Sequence, residues 1–213
     1  MIIKNFDQLN EMHIDILREI GNIGAGNAAT SLSQMLMKKV DMAVPEVKLL
    51  DINEAIDIMG GAENVVLGIL IRMSMDLEGM VMFLLKRDFV CLVVNSLLGT
   101  NIEKFEDIGE MELSALSEIG NIMIASYINS IASLTGMTID ISVPALAIDM
   151  SGAILSVPAI EYANVSDKIV FIEEKFFADE DTVDSHILLV PSVESLNKLL
   201  QGLGIELWKI LLM

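Results

Sequence analysis

A glutamate and an asparagine three residues apart, Glu19 and Asn22, recur as Glu118 and Asn121, 99 positions further along the chain. The wider pattern repeats with them. Copy one reads Asp15-x-x-x-Glu19-x-x-Asn22, then twenty-two residues, then Pro45. Copy two reads Ser114-x-x-x-Glu118-x-x-Asn121, then twenty-two residues, then Pro144. The pentapeptide Glu-Ile-Gly-Asn-Ile is identical at 19–23 and 118–122. On a helix, residues three apart are neighbours, with Cβ atoms roughly 5–6 Å apart. Each carboxylate and carboxamide therefore share one face, with Asp15 or Ser114 one turn behind. A single such pair would be ordinary solvated surface. A duplicated pair suggests two equivalent sites that orient something.

The remaining residues of the pattern show how it is carried. Ile16, Leu17, Ile20 and Ile23 lie opposite the first pair, and Leu116, Ile119 and Ile122 opposite the second. These apolar faces are expected in the core. Gly21 and Gly120 each cost a helix interior about 1 kcal/mol relative to alanine. Something therefore gains from the missing side chain, either a closely packed element or the backbone of a partner.

The repeat extends through whole elements. The 99-residue offset runs without a gap from Leu17/Leu116 to Val44/Val143. Apolar runs at 65–71 and 79–85 correspond to runs at 169–173 and 186–190, and short amphipathic segments end at Leu98-Gly99 and Leu203-Gly204. Each half reads as long helix, strand, short helical segment, β-hairpin, helix. The first long helix is expected to start near Asn5, with Gln8 completing a capping box, and to end by Lys38-Lys39. The second is expected to run from near Asp107 to a left-handed cap at Gly136. Strands follow Val44-Pro45 and Val143-Pro144. The first hairpin turn is placed at Met75–Glu78, and the second, acidic and solvated, at Ala178–Asp184. No linker separates the halves. The expected architecture is α+β, one domain over 1–213 made of two repeats, about 1–104 and 105–213, with pseudo-twofold symmetry.

Composition narrows the partners. The chain has 213 residues, 31 acids against 13 bases and a net charge of −18, which repels phosphate backbones and argues against nucleic acid. A protein with a basic face suits it better. The single cysteine, Cys91, excludes an intrachain disulfide, and no apolar leader opens the chain, so a reducing, cytoplasmic setting is expected. Residues 119–139 carry no charge. Asn121, Ser126, Asn129 and Ser130 interrupt them, so a buried helix is expected and no membrane insertion. Gly24-Ala-Gly26-Asn-Ala-Ala29 matches a dinucleotide fingerprint loosely, but it follows helical pattern where a strand is required. His13 and His186, the only histidines, have neither a metal-ligand cluster nor a nucleophile motif around them.

Two copies of [Asp/Ser]-x3-Glu-x2-Asn-x22-Pro in a chain of this length closely resemble the CheC branch of the CheC/CheX/FliY phosphatase family of chemotaxis. CheX-like chains carry one motif and pair as dimers, and FliY-like chains add a flagellar-switch domain. Two motifs in a chain that stops at Met213 point to the CheC branch and to a monomer. The resemblance implies two long motif helices on antiparallel β-sheet. It also implies hydrolysis of the aspartyl phosphate on the response regulator CheY, and binding to the receptor deamidase CheD. It casts Glu19, Asn22, Glu118 and Asn121 as catalytic, with Asp15, Pro45, Ser114 and Pro144 in support. An Asn carboxamide both accepts and donates, so Asn22 and Asn121 are expected to hold a water in line with phosphorus. Glu19 and Glu118 are expected to dock on a basic side chain of the regulator. No cofactor of its own is expected, the regulator supplying Mg²⁺. The alternative is a non-catalytic module that sequesters CheY or regulates CheD. For CheD the candidate surface is Asp149–Ile160, where Met150, Ala153, Ile154 and Val157 have helical spacing and Pro158 ends the run. Asp149 is its charged contact. The corresponding segment Asp51–Met59 carries more charge.

Overall fold

In the computed structural model the described residues are 3–162, 168–178 and 181–203. The two motif helices are α1 (Glu11–Leu36) and α4 (Glu110–Thr135), each of 26 residues and offset by 99. Both begin later than the sequence suggests. Asn5 instead precedes, and Asp107 ends, a single 3₁₀ turn ahead of each helix, Phe6–Gln8 and Phe105–Asp107. The Gln8 side chain accepts from Lys4 N–H at 2.8 Å, a local turn rather than a helix cap. The true N-cap of α1 is Asn10. Its carboxamide oxygen accepts from His13 N–H, and His13 Nδ1 accepts from Asn10 N–H, both at 3.1 Å. This is a capping box with histidine in the place of Glu or Gln, which a search for Glu or Gln passes over. At α4 the Gly109 N–H donates to Glu112 at 2.9 Å. Left-handed residues close both helices, Met37 (φ 51°) and, as expected, Gly136 (φ 72°).

The strands are β1 (Val40–Met42), β2 (Glu46–Asp51), β3 (Val65–Met75), β4 (Gly79–Leu85), β5 (Ile139–Ile141), β6 (Ala145–Met150), β7 (Lys168–Ala178) and β8 (Asp181–Pro191). They form one eight-stranded sheet with antiparallel ladders, in the order β1-β7-β8-β4-β3-β5, with β2 also on β7 and β6 also on β3. The first hairpin turns where expected. In the second, Asp181–Asp184 are not loop. They pair with Lys175–Ala178 and extend the strand; residues 179–180 lie outside the described residues, as does Gly204.

The sheet interlocks the repeats. The strand after the first motif, β2, pairs with β7 of the second repeat, Val47 opposite Ile172. Its counterpart β6 pairs with β3 of the first repeat, Leu146 opposite Ile69. Each motif helix therefore lies on a strand of the other repeat. Strand alternation then sorts the two faces. Ile69, Ile71, Val81, Phe83, Ile172 and Leu189 point to the side covered by α1, α4, α3 (Arg87–Leu98) and α6 (Val193–Gly202). Val66, Met80, Met82, Leu84, Phe171 and Leu188 point to the other side, under α2 (Ile52–Ile58) and α5 (Ser151–Tyr162). Pro158 does not end α5; the helix continues to Tyr162, and Glu161 receives a two-pronged ion pair from Arg72.

The repeat also governs how the chain enters each motif helix. Asn95 clamps Ile102, accepting from its N–H at 2.6 Å and donating to its carbonyl at 2.8 Å. Asn197 holds Ile3 in the same way, at 2.8 and 2.7 Å. Ile3 thus takes on Asn197 of α6 the place that Ile102 takes on Asn95 of α3.

The hairpin β7–β8 buries two titratable groups. Glu174 is fully buried, accepts from Ser185 Oγ at 3.1 Å, and is pushed up to about 8 by desolvation. His186, against the Phe171 ring, is pushed down to about 4 by burial and then by Lys86, with Glu173 and Asp184 acting the other way. The sign follows from which state binds more protons. Folded Glu174 holds its proton up to about 8, while the unfolded carboxyl releases it near its ordinary value of 4.5, so its contribution falls across that span. Folded His186 stays neutral down to about 4 while the unfolded ring charges below 6.5, so its contribution rises across that window. The two oppose each other between pH 4.5 and 6.5, and above that Glu174 acts alone. Urea unfolding should show stability falling from pH 6.5 to 8, by at most about 1.4 kcal/mol per unit. Glu174→Gln should abolish the slope; an unchanged slope would place its origin elsewhere.

Candidate functional site

The two motif faces look outward from α1 and α4, the layer that the sheet carries on one side. Asp15 and Glu19 are exposed and Asn22 is half-buried; Ser114, Glu118 and Asn121 have the same exposure pattern. Among the described residues none hydrogen-bonds the side chains of Glu19, Asn22, Glu118 or Asn121. Both carboxamides are therefore available to accept and donate toward solvent, and both carboxylates to accept.

The glycines answer one question left open by the sequence. A Cβ on Gly21 would stand 3.3 Å from Pro45 Cγ and 3.5 Å from Ile172 Cγ2, and one on Gly120 would stand 2.6 Å from Ile69 Cδ1. The missing side chains let each helix settle on the other repeat's strand, and in copy one also on the trailing proline. The fixed spacing follows from this. Fifteen residues of helix carry the chain about 22 Å away from Gly21. The nine residues from Leu36 to Pro45, turned back and extended, return about the same distance. Pro45 is buried, whereas Pro144 is half-exposed, so the second copy is the looser of the two.

Of the residues expected in the core, Leu17, Ile20, Leu116 and Ile119 are buried. Ile16, Ile23 and Ile122 are only partly covered. Ile16 lines an apolar groove of about 380 Å³ that runs along Asp15 and Glu19, walled also by Met12, Ile20, Leu134 and Leu203. The second motif has the matching groove, about 800 Å³ and more open, bounded by Met111, Ser114, Ala115, Glu118, Met35 and Leu98. Met12/Met111, Ile16/Ala115 and Leu134/Met35 keep the 99-residue relation, Leu134 and Met35 coming from the partner helix. Sequence reading missed these walls because the partner helix crosses only in the fold. The duplicated methionines were the available signal.

The two sites differ in charge. Arg18 donates to Asp15 at 2.5 Å in the first. The corresponding residues in the second are Ser117 and Ser114, with no ion pair possible. Asp149, the residue singled out on the other surface, is exposed at the end of β6 and accepts from Met150 N–H at 2.7 Å. Ile154 turns into the core against Gly68, so it is not part of an outer stripe. Met150, Ala153, Val157 and Ile160 are exposed. Ser114, Glu118 and Asn121 share one face of α4; Asp149, opposite Val66 of β3, lies on the α5 side of the sheet. Among the described residues no group of three or more His, Cys, Asp and Glu is placed to hold a metal ion, and no helix is long and apolar enough to cross a membrane.

Comparison with known proteins follows the same outline. The model of the CheC-like family matches residues 12–49 and 111–148, the two motif helices with their trailing strands. The chain is 36% identical over 206 residues to the protein named CheY-P phosphatase CheC of Bacillus subtilis, covering 95% of this chain and 99% of that protein. It is 29% identical over 143 residues to the flagellar motor switch phosphatase FliY of the same organism, 67% of this chain but 37% of FliY. The crystal structure of Thermotoga maritima FliY shares the fold, with a TM-score of 0.74 at 23% identity, covering 92% of this chain and 98% of that one.

Proposed function

The chain belongs to the CheC-like family, and from that premise we propose that it is a phosphatase that hydrolyses the aspartyl phosphate of the response regulator CheY. The observation that carries the reading is the pair of outward Glu/Asn faces, Glu19/Asn22 and Glu118/Asn121, each beside a groove, in a chain 36% identical to a CheY-P phosphatase.

An acyl phosphate is already activated, so the catalyst needs chiefly to position the nucleophile. In this mechanism Asn22 or Asn121 accepts one hydrogen bond from a water and donates to the same region, holding the oxygen in line behind phosphorus. The new P–O bond forms as the bond to the aspartyl oxygen breaks. The electron pair leaves with the aspartate as a carboxylate, and both water protons remain on the inorganic phosphate. No general base is required, which suits a carboxamide. Immobilising the water lowers the entropic part of the barrier. Glu19 and Glu118 dock a basic group of the regulator. Any Mg²⁺ would be carried by the regulator, where it would supply charge neutralisation; this chain's own residues only position water and dock the partner. The decay of phosphorylated CheY, timed with and without this chain, tests the reading. Tight binding with unaltered decay would leave a sequestering module instead.

The second partner in this reading is CheD, and the support is geometric asymmetry. The exposed apolar stripe Ala153, Val157 and Ile160 on α5, continued by Met150 at the end of β6, has no counterpart on α2, which presents Asn53, Glu54 and Asp57. It lies across the sheet from both Glu/Asn faces, so CheD and CheY can be held at once. Two motifs on one chain require no second copy, and the cytoplasm is where both partners would be met. Asp149→Lys should weaken CheD binding in a pull-down or titration while CheY-P decay stays unchanged. A loss of both together would misplace the surface.

A further inference from the structure

We propose that each motif face continues into a groove that seats an apolar side chain of phosphorylated CheY, and that the last turn of the other repeat's motif helix completes it. The partner follows from the phosphatase reading; the grooves follow from the fold. The first groove takes Ile16 and Glu19 from α1 and Leu134 from α4, and the second takes Ala115 and Glu118 from α4 and Met35 from α1. Leu134 and Met35 keep the 99-residue relation, as Met12 and Met111 do on the facing walls. The same crossed construction is thus present twice, once at each Glu/Asn pair.

A regulator that brings its phosphoryl group to Asn22 must lie over the first groove. Ile16 is six residues from Asn22, about 9 Å along α1. Even a transient protein contact buries roughly 500 Å² per partner, a disc of about 13 Å radius. Ala115 and Asn121 stand in the same relation on α4. The motif carboxylates contribute little affinity by themselves, because exposed ion pairs are weak. The anchor has to come from apolar burial within the contact. Met111 is 68% exposed and Leu134 41%, surface that such an anchor would remove from water. The rims fix what flanks it. Asp15 and Glu19 edge the first groove, and Glu110 and Glu118 the second. The side chain that enters is apolar with a basic neighbour, the group that Glu19 or Glu118 docks.

The crossing can be read directly in kinetics. In full-length Asn121→Ala chains only the first site works, and in Asn22→Ala chains only the second. Leu134→Ser should raise the CheY-P concentration for half-maximal rate about tenfold in the Asn121→Ala chain, the loss of one packed apolar contact. The rate at saturation should hold, and the Asn22→Ala chain should be unaffected. Met35→Ser should do the reverse. Each substitution lies in the repeat that does not carry the affected motif, and the unaffected background shows that the variant is folded. Leu134→Met should keep the first site near its original affinity. Should Met35→Ser fail to fold, Met111→Ser, at an exposed position, is expected to shift the second site alone. No shift, equal shifts in both backgrounds, or a shift in the site on the substituted helix for Leu134→Ser or Met35→Ser overturns the grooves. If neither background hastens phosphate loss, the phosphatase reading fails on its own, and titration of CheY-P against the chain decides the grooves. Leu134→Ser with Met35→Ser should then weaken binding about tenfold; unaltered or absent binding overturns them.

Discussion

Asn22→Ala combined with Asn121→Ala is expected to bring CheY-P decay down to nearly the rate of the regulator alone. Removing a preorganised group that acts on the reacting atoms costs on the order of 10²–10³ in rate. One intact site would hide that loss, so each single substitution should lower the rate only in part. The motifs start 99 residues apart on separate helices, and each pair faces outward with no hydrogen-bond partner among the described residues, which makes the two losses additive in rate. The same isolation protects the fold. Half-buried side chains with no hydrogen bond are removed at little cost, within about 0.5 kcal/mol for ordinary surface changes. A double variant that is folded and as fast as wild type would refute the water-orienting role. Glu19→Gln with Glu118→Gln provides the contrast. It keeps shape and removes charge, so it should raise the regulator concentration needed for half-maximal rate, more so at low salt, rather than reduce the rate at saturation.

Much of this site was legible because helical geometry is local. Identity at 19–23 and 118–122, with the prolines in step, is enough to place both pairs on exposed helix faces, and α1 and α4 begin and end at the same 99-residue offset. What escaped was whatever depends on a distant neighbour. Periodicity says that Ile69 and Ile172 face a core, but not that each floors the other repeat's motif helix; that exchange is a matter of strand pairing. The grooves escaped for the same reason, since Leu134 and Met35 come from the crossing helix. The helix starts were missed through chemistry. A histidine completes the box at Asn10, and at Gly109 only the Glu112 half of a box exists. Pro158 looks like a stop, yet α5 runs four residues past it, with Glu161 held by Arg72.

Gly24 shows how a misleading motif and a real constraint can be the same residues. In sequence, Gly24-Ala-Gly26 belongs to a loose match to a dinucleotide fingerprint, set aside because no strand precedes it. In the fold, a Cβ on Gly24 would stand 2.5 Å from the Tyr127 ring, and one on Gly26 would meet nothing within 4 Å. Gly24 is the slot that lets α1 and α4 approach. Tyr127 fills it, lies edge-on to Phe83 at 6.0 Å between centroids, and donates its hydroxyl to the Gly21 carbonyl at 3.3 Å. Gly24→Val should therefore force the ring out of a packed interface and cost about 1–3 kcal/mol, as overpacking does. Gly26→Ala, two residues on in the same helix, should instead stabilise by up to about 1 kcal/mol. Urea unfolding of the two variants decides between slot and loop. A phosphate loop would make both harmful to ligand binding and neither selectively harmful to stability, whereas the slot gives opposite signs. Because the Tyr127 hydroxyl holds the carbonyl beside Asn22, Gly24→Val should also slow the first site in an Asn121→Ala background more than it slows the second site in an Asn22→Ala background. Equal slowing would mean that Tyr127 only fills space and does not position the first motif.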